Sequence, residues 1–184
     1  MTSRRIVNEL GDRKTVADAI LGTGQPCIGI ADERAVTQSG WSIQRALDKG
    51  VVKTFDSLSQ LAGHYGLDDV ALSSTVEKFN SCVERGHDDE FGKPIIENAG
   101  RLENPPYYAM RLWPKVHHTM GGVGIDVNAR VLDLEAHPIP RLSAAGDPAG
   151  RVHGACRVGS CAITDCLVFG RIAGRSAAQE HPLQ

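Results

Sequence analysis

The chain is poor in aromatic residues and carries no excess of basic charge. Only 5% of its 184 residues are aromatic, while 41% are hydrophobic and 23% are charged, so a packed core is compatible with the composition. The formal net charge is -2. This balance disfavours a nucleic-acid surface, because such surfaces are usually strongly basic.

Long apolar segments are also missing. No run approaches the roughly 20 apolar residues that a membrane helix needs, and residues 161–173 are interrupted by Thr164, Asp165 and Arg171. No apolar segment follows residues 1–5, so no signal peptide is visible. We expect no membrane span and, by default, a cytoplasmic protein.

The five cysteines are scattered and form no Cys-x-x-Cys motif. Zinc ribbons and c-type haem attachment are therefore unsupported, and we predict no metal site. Reduced, mostly buried thiols are the simpler interpretation.

Two halves with different patterns predict an α+β protein. Up to about residue 104 the chain is mostly helical, with Asp12, Ser42, Ser57 and either Asp68 or Asp69 as candidate N-caps. The helix after Asp69 has the clearest apolar stripe and ends near Gly86. Short strands are predicted at residues 4–9, 26–31 and 51–55.

From residue 105 the pattern changes to strands and one glycine-fed helix. Alternating residues predict strands at 107–113 and 116–120, and residues 123–127 and 129–134 predict a β-hairpin. A short buried strand at 142–146 is followed by a helix from 159–161 to about residue 178.

Two glycine-rich stretches in this half are candidate ligand sites. In residues 116–122, adjacent His117 and His118 would face opposite sides of a strand, and Gly121 and Gly122 let backbone approach a flat ligand. In residues 144–160, a glycine-rich loop opens a helix and contains Arg157, whose planar fork suits a carboxylate. The alternatives are a tight turn with an incidental histidine and an ordinary loop with solvated arginines.

A third stretch lies near the N-terminus. Glu9 follows Arg5, and Arg13 is close by in the sequence. A glutamate and an arginine at this separation can relay protons. A surface ion pair is the simpler interpretation of the same residues.

Together these stretches resemble the soluble fumarate reductase, flavocytochrome c and urocanate reductase family of FAD-dependent oxidoreductases. The family carries an Arg-Phe-x-Asn-Glu-like motif, His-His-Thr-Met-Gly-Gly, Ala-Ala-Gly-Glu, His-Gly-Ala-Asn-Arg-Leu-Gly and Val-Phe-Gly-Arg-x-Ala-Gly. The matching stretches here are residues 4–9, 117–122, 144–147, 153–159 and 168–174, in the same order and with fitting spacing.

The resemblance implies the helical remainder of a capping (substrate clamp) domain over residues 1–104. Residues 105–184 would then supply the C-terminal β-hairpin, strand and final helix of a Rossmann-like FAD-binding domain. The family's Gly-x-Gly-x-x-Gly motif, which holds the FAD pyrophosphate, does not occur in this sequence. We therefore expect a fragment that lacks the N-terminal dinucleotide-binding half and does not retain FAD alone.

The resemblance also implies roles for individual residues. His117 and Arg157 match residues that bind the two carboxylates of a substrate, and Thr119 and Gly159 belong to the same substrate site. The flavin contacts would be Met120 and Gly121 at the ring, Asp147 towards the ribityl chain, and the helix start at Ser160, Ala162 and Ile163.

For the chemistry, the resemblance implies hydride transfer from reduced flavin to an activated C=C bond, with an arginine protonating the neighbouring carbon. Glu9 and Arg13 match the family's proton relay. Val36 stands where the family has its proton-donating arginine, so Arg34, two residues away, is the candidate acid. Asp147 replaces the family's Glu, Arg151 a Gly and Cys156 an Asn.

Three functions remain open from these residues. The first is reduction of a fumarate-like dicarboxylate or other unsaturated acid, completed by an N-terminal FAD-domain half and an electron-donor module. The second is a non-catalytic remnant or interaction module that retains the fold without binding FAD, and exposed strand edges would favour its assembly into homo-oligomers. A flavin dehydrogenase of steroid ketones is disfavoured, because such enzymes lack the pair of carboxylate-binding residues suggested by His117 and Arg157.

Overall fold

The computed structural model describes residues 2–116 and 118–180. The chain divides into two compact units, Met1–Pro114 and Lys115–Gln184. The predicted boundary at residues 104/105 lies ten residues before this division, because the strand after residue 104 belongs to the sheet of the first unit. The assignment of these parts to a capping domain and an FAD-binding segment stays a prediction.

The first unit combines five helices with a three-stranded antiparallel sheet in its described part. The sheet has the strand order β1-β3-β2, so the last strand in sequence lies in the middle and pairs with both others. The elements are α1 (Arg13–Gly22), β1 (Cys27–Asp32), α2 (Glu33–Ser39), α3 (Gln44–Asp48), β2 (Lys53–Phe55), α4 (Leu58–Tyr65), α5 (Asp69–Arg85) and β3 (Tyr107–Leu112).

Local capping chemistry sets the ends of these helices, as predicted. The side chains of Asp12, Ser57 and Asp68 accept hydrogen bonds from the backbone N–H groups three residues on, which begins α1, α4 and α5. Gly66 and Gly86 end α4 and α5 in the left-handed conformation. The choice left open between Asp68 and Asp69 is settled in favour of Asp68.

The core of the first unit lies where α4 and α5 pack on the sheet. Leu61 is fully buried, and Ala109 of β3 is 1% exposed. Each fully buried aliphatic side chain stabilises the fold by about 1.5–3 kcal/mol. The cluster consists of Leu61, Ala62, Tyr65, Leu72, Val76, Tyr107 and Ala109.

Three details of the first unit differ from the prediction. Residues 4–9 form no strand, and Arg5 instead turns towards Asp88. Helix α2 was not predicted, although Asp32 caps it and Gly40 follows it in the left-handed conformation. Helix α3 begins at Gln44 with Ile43 in the N-cap position, and the Ser42 hydroxyl accepts only a 3.4 Å bond from the Gln44 N–H.

The second unit contains two small sheets and a long helix in its described part. Its elements are β4 (Val123–Gly124), β5 (Arg130–Leu132), β6 (Pro138–Ser143), β7 (Ala149–Gly150) and α6 (Cys161–Gln179). Strands β4 and β7 pair in parallel, while β5 and β6 pair antiparallel. The predicted final helix is confirmed.

The predicted hairpin of the second unit was wrong in its main pairing. Strand β5 takes β6 as its partner, and the segment before it contributes only an isolated bridge between Ile125 and Val131. The predicted strand at 116–120 is not found in the described residues 116 and 118–120. No helix in the described ranges has the length and apolar character needed to cross a membrane.

Candidate functional site

Glu9 lies in a cluster of charges within the first unit. The Arg5 guanidinium donates to both of its carboxylate oxygens, from Nε at 2.8 Å and from Nη2 at 2.9 Å. Lys93 Nζ lies 3.3 Å from Oε2. Burial raises the pKa of Glu9, but the hydrogen bond from Arg5 and the charges of Lys93 and Arg5 outweigh it and lower the pKa.

Asp88 is the second carboxylate of this cluster. Its side chain is buried, and it accepts a 2.9 Å hydrogen bond from Arg5 Nη2. This bond is the main reason why the pKa of Asp88 lies far below its usual range. Burial by itself lowers the pKa of Arg5, but Glu9 and Asp88 together raise it above the usual value. Neither Asp88 nor Lys93 was a sequence-based candidate.

The other two predicted catalytic residues lie apart from Glu9's ion pairs. Arg13 is the exposed first residue of α1, and Glu9 pairs with Arg5 and Lys93 rather than with it. Arg34 Nη2 donates to the Asn98 carbonyl at 3.2 Å. Its guanidinium lies so close over Gly100 that a Cβ there would be 1.4 Å from Nη1. The structure thus gives Arg34 a backbone partner.

Val36, which stands at the family's arginine position, has apolar surroundings. It lines a pocket of about 190 Å³ with residues of β1, β3 and the segment around α3. The pocket is lined by Gly29, Ile30, Ala31, Val36, Ile43, Val52, Tyr108 and Met110. An arginine in its place would bring a charge against this apolar lining.

In the second unit, Asp147 contacts the candidate residue Thr119 and its neighbour His118. His118 Nδ1 pairs with its Oδ1, and the Thr119 backbone N–H donates to the same oxygen at 3.3 Å. The Thr119 hydroxyl lies 3.2 Å from the Gly121 carbonyl and 3.4 Å from that of Asp147. Met120 and Gly121 continue this segment, whereas His117 lies outside the described residues.

A second histidine–carboxylate pair fixes the glycine-rich loop to α6. His153 Nε2 lies 3.2 Å from Asp165 Oδ2, and Asp165 is the buried residue of that helix. The rings of His118 and His153 are 6.1 Å apart in an edge-on arrangement. Neither residue of this pair was predicted as functional, although a carboxylate within an otherwise apolar stretch of helix was a usable signal.

Arg157 is buried without a counter-ion in the described part of the chain. It is 9% exposed, its Nη1 donates to the Val158 carbonyl at 3.3 Å, and its Nε has no partner. No carboxylate of the described residues lies within ion-pair distance of it. Since a buried unpaired charge is costly, this geometry favours an anionic ligand.

Two backbone features complete the second unit's candidate site. Gly122 and Gly150 approach so closely that a Cβ on Gly150 would lie 2.8 Å from the Gly122 nitrogen. Helix α6 begins after Ser160, which has a φ of 68° and provides no side-chain cap. Its first amides, including those of Ala162 and Ile163, are therefore not taken by a capping side chain. Gly159 lies exposed just before this start.

A family model described as an FAD binding domain matches residues 2–163. The chain belongs to this FAD-binding domain family. The match covers the Glu9 cluster, the segment around His118 and the glycine-rich loop, and the family is one of flavoproteins. FAD is the family cofactor.

Members of the FAD-binding domain family with known activities are similar over nearly the whole chain. The fumarate reductase (cytochrome) of Shewanella frigidimarina is 42% identical over 177 residues, which are 96% of this chain and 30% of that protein. The acrylate reductase flavoprotein subunit of Shewanella woodyi is 38% identical over 186 residues, covering 97% and 37%. The chain thus spans about a third of the length of these relatives.

A solved structure of the same family has a similar fold. The open conformation of a flavocytochrome c3 fumarate reductase aligns with a TM-score of 0.69 at 38% identity. The alignment covers 97% of this chain and 31% of that chain. The mixed helix and strand architecture is therefore that of FAD-binding flavoproteins.

The residues present fit one side of an FAD site. The start of α6 has no side-chain cap and offers N–H groups to electron-rich oxygens. No atom of the described residues lies within 4 Å of a Cβ position on Gly121, which leaves its backbone open to a flat ring. The sequence contains no Gly-x-Gly-x-x-Gly motif, the pattern that binds the pyrophosphate of a dinucleotide. The described residues include no cluster of ligands suited to a metal ion.

Proposed function

We propose that this chain supplies carboxylate-binding and flavin-facing residues of an FAD-dependent oxidoreductase that reduces the C=C bond of a fumarate-like unsaturated acid. The observation that carries the proposal is the buried guanidinium of Arg157, which has no counter-ion among the described residues and whose Nε has no hydrogen-bond partner there. Relatives that act on fumarate and acrylate support the choice of substrate class.

Binding of the acid falls to Arg157 and His117. The planar fork of Arg157 grips one carboxylate by paired hydrogen bonds, and His117 holds the other. Thr119 and Gly159 border the same substrate. Holding both carboxylates withdraws electron density from the alkene, which favours the charge distribution of the transition state.

The flavin-facing residues are Met120, Gly121, Asp147 and the start of α6. FAD, when bound, supplies the two electrons of the reduction as a hydride equivalent. Ser160, Ala162 and Ile163 present the helix start, whose amides and dipole stabilise negative charge. Asp147 Oδ1 is occupied by His118 and Thr119, which leaves Oδ2 as the oxygen available to a ribityl hydroxyl.

Proton delivery is assigned to Glu9, Arg13 and Arg34. Glu9 is an ionised carboxylate that is already held by two cations, which suits a fixed relay group. Arg34 is the proton donor of this proposal. Its hydrogen bond to the Asn98 carbonyl has to open before it can reach a substrate.

A chimaeric enzyme tests the proposal. The segment of the Shewanella frigidimarina fumarate reductase that matches this chain is replaced by residues 1–184, and flavin absorbance and fumarate reduction are measured. A yellow chimaera that reduces an unsaturated acid is expected. Arg157→Gln should lower kcat/KM by about 10²–10³-fold, because it removes charge stabilisation at the substrate.

Arg175→Gln is the matched control, since Arg175 is an exposed arginine of α6. It should leave kcat/KM unchanged. A colourless chimaera would contradict the flavin-facing role. A yellow chimaera that reduces no unsaturated acid, or an Arg157→Gln variant as active as the parent, would contradict the substrate role.

A non-catalytic interaction module is the second candidate. The observation that favours it is the apolar pocket around Val36, together with the backbone partner of Arg34. Both features argue that the family's acid has been lost. This function predicts a chimaera that binds no flavin and reduces no acid, together with a stable flavin-free oligomer of the chain alone.

A further inference from the structure

The Arg5–Glu9 pair is backed by a buried carboxylate. Asp88 is 2% exposed, and its Oδ2 accepts from Arg5 Nη2 at 2.9 Å. The same Nη2 donates to Glu9 Oε2, also at 2.9 Å, while Nε donates to Oε1. Arg5 therefore bridges two carboxylates, and the position of Asp88 determines the orientation of the Arg5 guanidinium.

Asp88 is itself held rigidly by the turn that follows it. Its carboxylate accepts from the backbone N–H groups of Glu90 at 3.2 Å, Phe91 at 3.4 Å and Lys93 at 3.2 Å. The Cys82 thiol of α5 lies 3.9 Å from Oδ1. A carboxylate with this many fixed donors keeps one orientation, so it is a firm anchor for Arg5.

The second cation on Glu9 depends on the same carboxylate. Asp88 binds the Lys93 backbone N–H, and the Lys93 ammonium reaches Glu9 and also lies 4.8 Å from the Phe79 ring centre. The Arg5 guanidinium carbon lies 4.9 Å from the Phe91 ring centre and 5.6 Å from the Phe79 ring centre. Both groups that grip Glu9 are thus placed by Asp88, Arg5 through an ion pair and Lys93 through its backbone.

We propose that Asp88 is a positioning residue for Glu9, which it orients mainly through Arg5. The inference rests on the proposed function, in which Glu9 belongs to the proton relay. Asp88 touches neither substrate nor flavin in this scheme. Asp88 fixes the orientation of the Arg5 guanidinium, and the guanidinium keeps the Glu9 carboxylate ionised and in one orientation.

Carboxylate NMR of the full chain tests this inference without flavin or substrate. The titration of the Glu9 side-chain carbon is followed in the parent and in Asp88→Asn, with amide spectra recorded to show that the variant is folded. Asp88→Asn has two effects of opposite sign on the pKa of Glu9. Removing a nearby negative charge lowers the pKa of Glu9, whereas loss of an oriented Arg5 raises it towards the usual range.

The positioning role predicts that the pKa of Glu9 rises in Asp88→Asn. A fall, or no change, in the folded variant would overturn the proposal. Asp89→Asn is the matched control, because Asp89 is an exposed neighbour paired with Arg85 and His87. Asp89→Asn should leave the pKa of Glu9 unchanged.

A double-mutant cycle with Arg5→Lys tests whether Asp88 acts through Arg5. The lysine keeps the charge but loses the fork, so the pKa of Glu9 should rise in Arg5→Lys alone. Asp88→Asn should cause no further rise in that background. Additive rises would overturn the mechanism, as would an unchanged Glu9 in Arg5→Lys. An unchanged pKa of Glu9 in Arg5→Lys overturns the mechanism even if Asp88→Asn does not fold. If the chimaera is inactive but the double-mutant cycle gives the expected pKa changes of Glu9, the proposed function is rejected and the positioning role is kept.

Discussion

At the scale of single residues, Asp32 shows how a buried carboxylate joins distant segments. It is 2% exposed, caps α2 through the Ala35 N–H, and accepts from the Glu103 N–H and from both nitrogens of Asn104. Burial raises its pKa, but these hydrogen bonds outweigh burial and lower the pKa below its ordinary value. Ionised Asp32 therefore stabilises the folded state.

Asp32→Asn should lower the free energy of unfolding at pH 7 by about 1–3 kcal/mol, because an amide turns an N–H group towards buried donors. The stabilisation by Asp32 is complete above the pKa of the unfolded chain and is lost as the pH falls through the lower folded pKa. The difference between parent and variant should therefore shrink on acidification. Urea unfolding at several pH values measures it.

Asp56→Asn is the control for this prediction, since Asp56 is exposed and only its backbone N–H takes part in a described hydrogen bond. Its unfolding free energy should stay within about 0.5 kcal/mol of the parent. An Asp32→Asn variant as stable as Asp56→Asn would contradict the structural role of Asp32.

Sequence reasoning at this scale worked where the partner is local. Asp12 and Asp68 were predicted as caps because the N–H groups they accept from lie three residues away. The contacts of Asp32 with Glu103 and of Asp88 with Arg5 were missed, because these partners lie 71 and 83 positions away. No short window of sequence contains both members of such a pair. The cap of Asp32 on α2 is local and was missed together with that helix.

At the scale of elements, the parallel pair β4 and β7 depends on two glycines. Gly122 and Gly150 bring the two backbones together with no room for a side chain on Gly150, where a Cβ would meet three Gly122 atoms within 3.1 Å. This pairing positions the segment with Thr119 and the loop with Asp147 in the second unit. A side chain at residue 150 should force them apart.

Gly150→Ala should lower the free energy of unfolding by about 1–3 kcal/mol, because the added methyl group overpacks a backbone contact. Thermal and urea unfolding measure the change. Gly170→Ala on α6 is the matched control, because nothing lies within 4 Å of a Cβ there and the position is helical. It should raise stability by about 0.5–1 kcal/mol. Equal effects of both substitutions would show that the glycine contact is not tight.

The hairpin shows why element pairing was harder to predict than element type. Alternating apolar residues marked the strands around residues 123–134 correctly as extended chain. Their partners, however, are β7 and β6 further along the sequence. A period of two identifies a strand face but carries no information about which strand lies beside it.

At the scale of the whole molecule, helix α6 carries apolar side chains that the described structure leaves open. Ile163 is 73% exposed, Leu167 is 69% exposed and Val168 is 48% exposed. Ile163 and Leu167 are one turn apart on the same face. A row of exposed aliphatic side chains favours association with another surface.

Leu167→Ser should weaken self-association of the isolated chain by about 10- to 150-fold, because it removes roughly 1.5–3 kcal/mol of apolar burial in an oligomer. Sedimentation velocity over a range of concentrations measures the effect. Val70→Ser on α5 is the control, since Val70 is 81% exposed but lies on a different helix. A monomeric parent, or an unchanged association of Leu167→Ser, would contradict the prediction.

The sequence by itself determined the family, the α+β class and most helix ends, because motifs, caps and apolar periods depend on neighbours within a few residues. It also marked Arg157, whose burial without a counter-ion among the described residues agrees with binding of an anion. Only the tertiary structure decided that Glu9 pairs with Arg5 and Lys93 rather than Arg13, that Asp88 lies behind them, and that Arg34 binds Asn98. Apart from the Arg5–Glu9 pair, which spans four residues, these contacts join residues far apart in the chain. Their energies depend on burial and on the direction of each donor, which exist only after folding.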